Sequence, residues 1–135
     1  MSISNRMSKI RIIFFALAVI LFSGCKQYPA LLQVDTHEID FGDVRFIDGP
    51  QHATVKLKNT GDETLRIDKI ATDCDCTTAS VSVDSLKAGE EGELSIDVDY
   101  NAFFPGLQEK RIRIYSNSIK GSEEIVVKCN LKANE

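Results

Sequence analysis

Side chains that could react or bind a metal ion are most concentrated, in this 135-residue sequence, in the stretch Asp73-Cys74-Asp75-Cys76-Thr77-Thr78. Two cysteines one residue apart can form a disulfide, bind a metal ion or exchange disulfides with a partner. In an extended strand the side chains of Cys74 and Cys76 would point the same way, with their Cα atoms about 6.6 Å apart. Because that spacing is near the upper limit for a disulfide, a direct bridge requires a bend in the chain.

A third cysteine, Cys129, leaves other arrangements open. A disulfide from Cys74 or Cys76 to Cys129 would cross-link the middle and the end of the chain and contribute about 4 kcal/mol in the chain-entropy model. Cys129 also shares the inward register of Ile125 and Val127, where a buried free cysteine is ordinary. Three interpretations of the three cysteines therefore stand: inert structural thiols, some disulfide, or a metal or redox site.

The neighbours of Cys74 are acidic. Asp73 and Asp75 flank it directly, and carboxylates disfavour a thiolate, so we expect poor nucleophiles at neutral pH. The same carboxylates could help to hold a cation. The two histidines, His37 and His52, are not at local ligand spacing to the cysteines, and we predict no metal. No nucleophile–base arrangement, phosphate loop or catalytic carboxylate pair is recognisable, so we predict no catalytic residue, no cofactor and no enzymatic activity.

The elements that position these cysteines are strands. From Leu31 onward apolar and polar residues alternate, which is typical of half-buried strands. Seven or eight short runs of this kind predict an all-β, immunoglobulin-like antiparallel sandwich, and the uneven loops favour it over a closed barrel. Thr77–Val81 holds β-favouring or small residues, so we expect the cysteines at the entrance to a strand. The predicted inward positions are Leu32, Val34, Ile39, Phe41, Ala53, Val55, Leu57, Leu65, Ile67, Val81, Val83, Leu94, Ile96, Val98, Tyr100, Ile112, Ile114, Ile125, Val127, Cys129 and Leu131.

The order of several short motifs resembles one protein family. These motifs are Phe41-Gly42-Asp43-Val44, Val55 to Gly61, Leu65-Arg66-Ile67, Cys74-Asp75-Cys76-Thr77, Gly89 before Leu94, and Gly106 before Ser116-Asn117. Together they resemble domain-of-unknown-function family fifteen-seventy-three, small exported bacterial proteins with a Cys-x-Cys-Thr motif. The resemblance implies an immunoglobulin-like fold and carries over no activity. Asp75 replaces the glycine usual between the cysteines, and Ala88 replaces the usual proline.

The first residues form an export signal. A basic start is followed by Ile12–Phe22, an apolar run of 11 residues, and then by Ser23-Gly24-Cys25. The run is too short to span a membrane as a helix. The junction resembles the lipobox of bacterial lipoproteins, which implies cleavage before Cys25 and lipid on its sulfur. We expect a signal peptide at 1–24, a lipidated cysteine and tether at 25–30, and one domain at 31–135. A short membrane anchor and an ordinary signal cut elsewhere are the alternatives.

Location and charge restrict the partners. Lys26 follows Cys25 where lipoproteins kept at the inner membrane commonly have Asp, and this resemblance implies the outer membrane of a Gram-negative envelope, facing the periplasm. Removing residues 1–24 leaves 135 − 24 = 111 residues, and removing their three positive charges changes the net charge from −4 to −7. An acidic domain repels phosphate backbones, so we predict no nucleic-acid partner.

Two further sites are expected. Phe103-Phe104-Pro105-Gly106 joins two strands, and its phenylalanines either cap the sandwich or form an apolar loop tip for a partner. Asp84-Ser85-Leu86 resembles the acceptor of a general O-glycosylation system of some Gram-negative bacteria, with Ser85 as the attachment site.

Taken together, the sequence predicts a membrane-anchored lipoprotein whose domain is a non-enzymatic binding or structural module of the cell envelope, with an unknown envelope protein as partner. The alternative is a periplasmic thiol-redox or metal-handling protein that uses Cys74 and Cys76.

Overall fold

The computed structural model describes residues 26–101 and 103–133, and these residues form nine strands and no α-helix. Cys25 and the predicted signal peptide lie outside the described residues. No described helix is long or apolar enough to cross a membrane. The strands are β1 (Leu32–Val34), β2 (Glu38–Arg45), β3 (Gln51–Asn59), β4 (Leu65–Thr72), β5 (Thr77–Val81), β6 (Ser85–Leu86), β7 (Glu91–Val98), β8 (Gly106–Ser116) and β9 (Ser122–Lys132), with a 3₁₀ turn at Phe46–Asp48.

The strands form two sheets that pack face to face. One has the order β1-β3-β7-β5 and the other the order β2-β9-β8-β4-β6. The all-β, immunoglobulin-like sandwich predicted from the alternation is therefore confirmed. One pair departs from the antiparallel expectation, because β2 runs parallel to β9. Alternation has the same period in both kinds of pairing, so the local pattern could not show it.

The strand count exceeds the prediction by the two-residue β6, which is too short to show an alternating pattern. The inward position predicted for Val83 is wrong. β5 ends at Val81, and Val83 lies beyond it with 44% of its surface exposed.

The core lies between the sheets and follows the alternating positions. Leu94, Ile96 and Val98 of β7 and Ile112 and Ile114 of β8 have no exposed surface. At about 25 cal/mol per Å² of buried apolar area, such side chains supply the main driving force for folding.

The sandwich has two distinct ends. The N-terminal end is formed by residues 28–31 and by the connections β3–β4 and β8–β9. The cysteine end is formed by the connections β2–β3, β4–β5 and β7–β8. Because the 11 residues of β8 run from one end to the other, the two ends are about 33 Å apart.

Asn59 organises the N-terminal end and has no exposed surface. Its side-chain oxygen accepts hydrogen bonds from the backbone N–H groups of Gly61 at 3.0 Å and Leu31 at 3.3 Å. Its side-chain NH₂ donates to the carbonyl oxygens of Glu63 at 2.8 Å and Leu86 at 3.0 Å. The buried amide therefore satisfies all its polar groups and joins the segment before β1, the β3–β4 connection and β6.

Candidate functional site

The connection from β4 to β5 carries Cys74 and Cys76 from one sheet to the other. The N–H of Thr77 donates to the carbonyl oxygen of Cys74 at 3.1 Å, which closes a β-turn over Cys74, Asp75 and Cys76. The two sulfur atoms are joined in a disulfide, with the Cα atoms 5.1 Å apart. The turn thus supplies the bend that a direct bridge requires. Thr77 begins β5, which confirms that the cysteines precede a strand.

Asp75 fits this turn in the place where the family resemblance implies glycine. No described non-glycine residue has a positive φ, so Asp75 occupies an ordinary backbone conformation. Two further hydrogen bonds stabilise the turn. The N–H of Cys76 donates to the Cys74 sulfur at 3.0 Å, and the N–H of Asp99 donates to the Cys76 carbonyl oxygen at 2.9 Å.

A groove of about 720 Å³ runs beside the disulfide. Strands β3 and β7 contribute His52 and Asp97, which lie opposite each other. The His52 Nδ1 and Asp97 Oδ1 atoms are hydrogen-bonded. Asp75, Asp99 and Phe103 line the rest together with the cysteines. The groove therefore combines the apolar side chains of Pro50 and Phe103, a partly exposed disulfide and three carboxylates.

The two phenylalanines of the β7–β8 connection have different environments. Phe103 is half-buried, packs edge-on against Tyr100 with ring centroids 6.2 Å apart, and lies 4.0 Å beneath the Lys110 ammonium. Phe104 is 86% exposed, and Leu107 shortly after it is 88% exposed. Phe103 caps the core, whereas Phe104 and Leu107 form an apolar tip. Leu107 is not among the residues predicted to contact a partner, although its place in the outward register of β8 indicates an exposed side chain.

Cys129 lies on the inner face of β9 and is a buried free thiol. Burial raises the pKa of this thiol, and it lies against the Tyr100 side chain, whose pKa burial also raises. It is therefore protonated and unreactive at neutral pH. The structure does not bring it to Cys74 and Cys76.

The remaining candidate residues are dispersed. Ser85 is exposed in β6, where it pairs with Arg66. His37 contacts Glu123 at 3.0 Å near the N-terminal end, far along the sandwich from His52. Within residues 26–101 and 103–133 no group of three or more His, Cys, Asp or Glu side chains is arranged to hold a metal ion.

Comparison with known proteins gives a family match and several fold matches. The family model described as "Protein of unknown function (DUF1573)" matches residues 32–131. No curated protein matches the chain. A protein of unknown function from Porphyromonas gingivalis is similar with a TM-score of 0.69 and 23% identity, over 82% of this chain and 51% of that one. The chain thus spans about half the length of that protein.

Two further structures share the fold. The ASH/PapD-like domain 7 of human CEP192 has a TM-score of 0.62 and 10% identity, over 84% of this chain and 93% of that one. A chain of the CsuC–CsuE chaperone–tip adhesion subunit pre-assembly complex of Acinetobacter baumannii has a TM-score of 0.54 and 17% identity, over 76% and 58%. At these identities the likeness concerns the fold alone.

Proposed function

The chain belongs to the DUF1573 family of proteins of unknown function, and from this premise we propose that it is a non-enzymatic protein-binding module of the cell envelope. In this proposal a lipid on Cys25 anchors the domain to the outer membrane of a Gram-negative bacterium, facing the periplasm. The partner is an envelope protein that contacts the cysteine end.

The observation that carries the proposal is the apolar tip formed by Phe104 and Leu107. Both residues are more than 85% exposed and only three positions apart. Leu107 also lines a second groove that contains the carboxylates of Asp40, Asp43 and Glu109. Exposed apolar side chains that cluster and are bordered by polar residues are typical of protein contact sites. The side-chain amide of Gln108 donates to the Phe104 carbonyl oxygen at 3.0 Å, which orders the connection that presents the tip. A chain with this fold occurs in a complex of a chaperone with an adhesion subunit, which further supports a binding role.

The test is capture of partners from envelope extracts of the native host. We expect the Phe104→Asp, Leu107→Asp double variant to lose a protein that the wild type retains, because two charges would replace the apolar contact. The control is Val83→Asp, which adds a charge at an exposed apolar residue elsewhere. Thermal unfolding establishes that the variants are folded. Equal capture by all three proteins would overturn the proposal.

The anchor has its own test. Mass spectrometry of the mature N-terminus should find acylated Cys25, and Cys25→Ala should release the protein from the membrane fraction. An intact Met1 start, or unchanged fractionation of Cys25→Ala, would refute lipid anchoring.

A second candidate is thiol–disulfide exchange at Cys74–Cys76, favoured by the position of the bridge beside the groove. A partner thiolate would attack one sulfur, the other would leave as a thiolate, and a second partner thiol would resolve the mixed disulfide. The partner is then oxidised and the bridge reduced to two thiols. Alkylation rate against pH decides between the candidates: a thiol pKa below about 7 in the reduced protein would favour exchange.

A further inference from the structure

Hydrogen bonds fix the N-terminal segment to the sandwich from Tyr28 onward, only three residues after the predicted lipid anchor at Cys25. The N–H of Tyr28 donates to an Asp62 carboxylate oxygen at 2.8 Å. The Tyr28 carbonyl oxygen accepts from the N–H groups of Asp62 at 3.0 Å and Glu63 at 3.3 Å. Ala30, two residues later, is buried and accepts from the N–H of Ile119 at 3.0 Å. The free tether is therefore shorter than the segment 25–30 predicted from the sequence.

Only Lys26 and Gln27 separate Cys25 from Tyr28. Three residue steps span at most about 11 Å even when fully extended. A lipid on Cys25 would therefore hold the N-terminal end of the sandwich at the headgroup layer, whereas the cysteine end lies about 33 Å further along the strands.

The surface of this end is suited to that position. Tyr28 is 62% exposed and Ile119, at the tip of the β8–β9 hairpin, is 70% exposed. A tyrosine ring with its polar hydroxyl is favoured at membrane interfaces, and a neighbouring aliphatic side chain gains free energy from shallow burial among acyl chains. The Lys120 ammonium next to Ile119 is paired with Glu123 at 2.6 Å, so the surface relies on the apolar contacts of Tyr28 and Ile119 and not on a free cation.

We propose that Tyr28 and Ile119 form a membrane-docking surface, so that the sandwich stands upright on the bilayer and presents the disulfide and the Phe104–Leu107 tip to the periplasm. This inference rests on the proposed lipid anchor at Cys25. It commits to a phospholipid bilayer as the occupant, because the short tether brings this end and no other to the membrane.

The absence of tryptophan from the sequence gives a direct test, since one introduced tryptophan is the sole indole reporter. Lipidated full-length protein carrying Ile119→Trp is reconstituted into vesicles of phosphatidylethanolamine and phosphatidylglycerol, with or without bromine on the acyl chains. We expect at least about twofold quenching by the brominated lipid, as insertion by about 5–10 Å would give. The matched control, Phe104→Trp at the opposite end, should show no quenching. Tyr28→Trp provides a second reporter on the docking surface and should behave like Ile119→Trp.

Each outcome decides a different point. Acylated Cys25 with unquenched Ile119→Trp and Tyr28→Trp would overturn the docking surface and leave the anchor standing. Equal quenching at Ile119 and Phe104 would contradict the upright orientation. An emission shift at Ile119→Trp that depends on protein concentration and not on bromine would show a second copy on this surface, which also overturns the proposal. Protein without lipid on Cys25 would refute the anchor and the docking surface together.

Discussion

At the scale of single residues, the Cys74–Cys76 bridge contributes less to global stability than a bridge to Cys129 would. It closes a loop of only three residues, for which the chain-entropy model gives about 1.6 kcal/mol, against about 4 kcal/mol for a bridge to Cys129. The bridge instead stabilises its own turn by holding Cys74 and Cys76 close together. This turn is the connection through which the chain passes from one sheet to the other.

The Cys74→Ser, Cys76→Ser double variant should therefore be folded, less stable than the wild type by about 1–2 kcal/mol, and without change in any enzymatic activity. Urea unfolding with and without reductant measures this. The wild type should become less stable in reductant by a similar amount, and the double variant should not respond. A loss of several kcal/mol, or a reductant response in the double variant, would contradict this account of the bridge.

At the scale of elements, the β3–β4 connection depends on a close backbone approach. A Cβ atom on Gly61 would collide with the carbonyl oxygen of Pro29 and would lie 2.8 Å from the backbone nitrogen of Leu31. Glycine is thus required here for space and not for a positive φ. Because Gly61 has no side chain, residues 28–31 can pack directly over the β3–β4 connection. This packing sets the position of Tyr28 in the proposed docking surface.

Gly61→Ala should displace residues 28–31 and cost about 1–3 kcal/mol, as overpacking of backbone does. Hydrogen exchange should accelerate at the amides of Thr60 and Asp62, which donate to carbonyl oxygens of that segment. Gly49→Ala at the other end is the control, because its added methyl group meets no atom within 4 Å and only the positive φ of +74° opposes it. Unchanged exchange at both amides would show that the segment is not held by this contact.

At the scale of the whole molecule, charge contacts join parts that are distant in sequence. Glu123 at the start of β9 is 8% exposed and binds His37 from before β2 and Lys120 from the hairpin. Burial alone would raise the pKa of the Glu123 carboxyl. The hydrogen bonds from Lys120 and His37 outweigh burial and hold the pKa below the ordinary value of 4.5.

A carboxyl whose pKa is lowered in the folded state stabilises the fold above its unfolded pKa and loses that contribution as pH falls through the folded value. Glu123→Gln should therefore be less stable than the wild type at neutral pH. The difference should shrink as the pH falls below about 4.5. Urea unfolding across this range is the measurement, with Glu63→Gln on the exposed β3–β4 connection as the control. A difference that stays constant with pH would refute the role of the Glu123 charge.

The longer strands, the sandwich and the family could be predicted from the sequence, because alternation with a period of two and the order of short motifs can be read directly along the chain. The sequence also placed Cys74 and Cys76 just before a strand and supplied the whole basis for expecting a lipid on Cys25. The folded structure alone reveals the parallel pairing of β2 with β9, because local periodicity carries no information about strand partners. It likewise decided which cysteines are bridged and which apolar residues are exposed. Phe103 and Phe104 are neighbours of the same type, yet Tyr100 and Lys110 cover only the first. Whether a side chain is exposed depends on the neighbours that folding brings to it, and the residue type alone does not predict this.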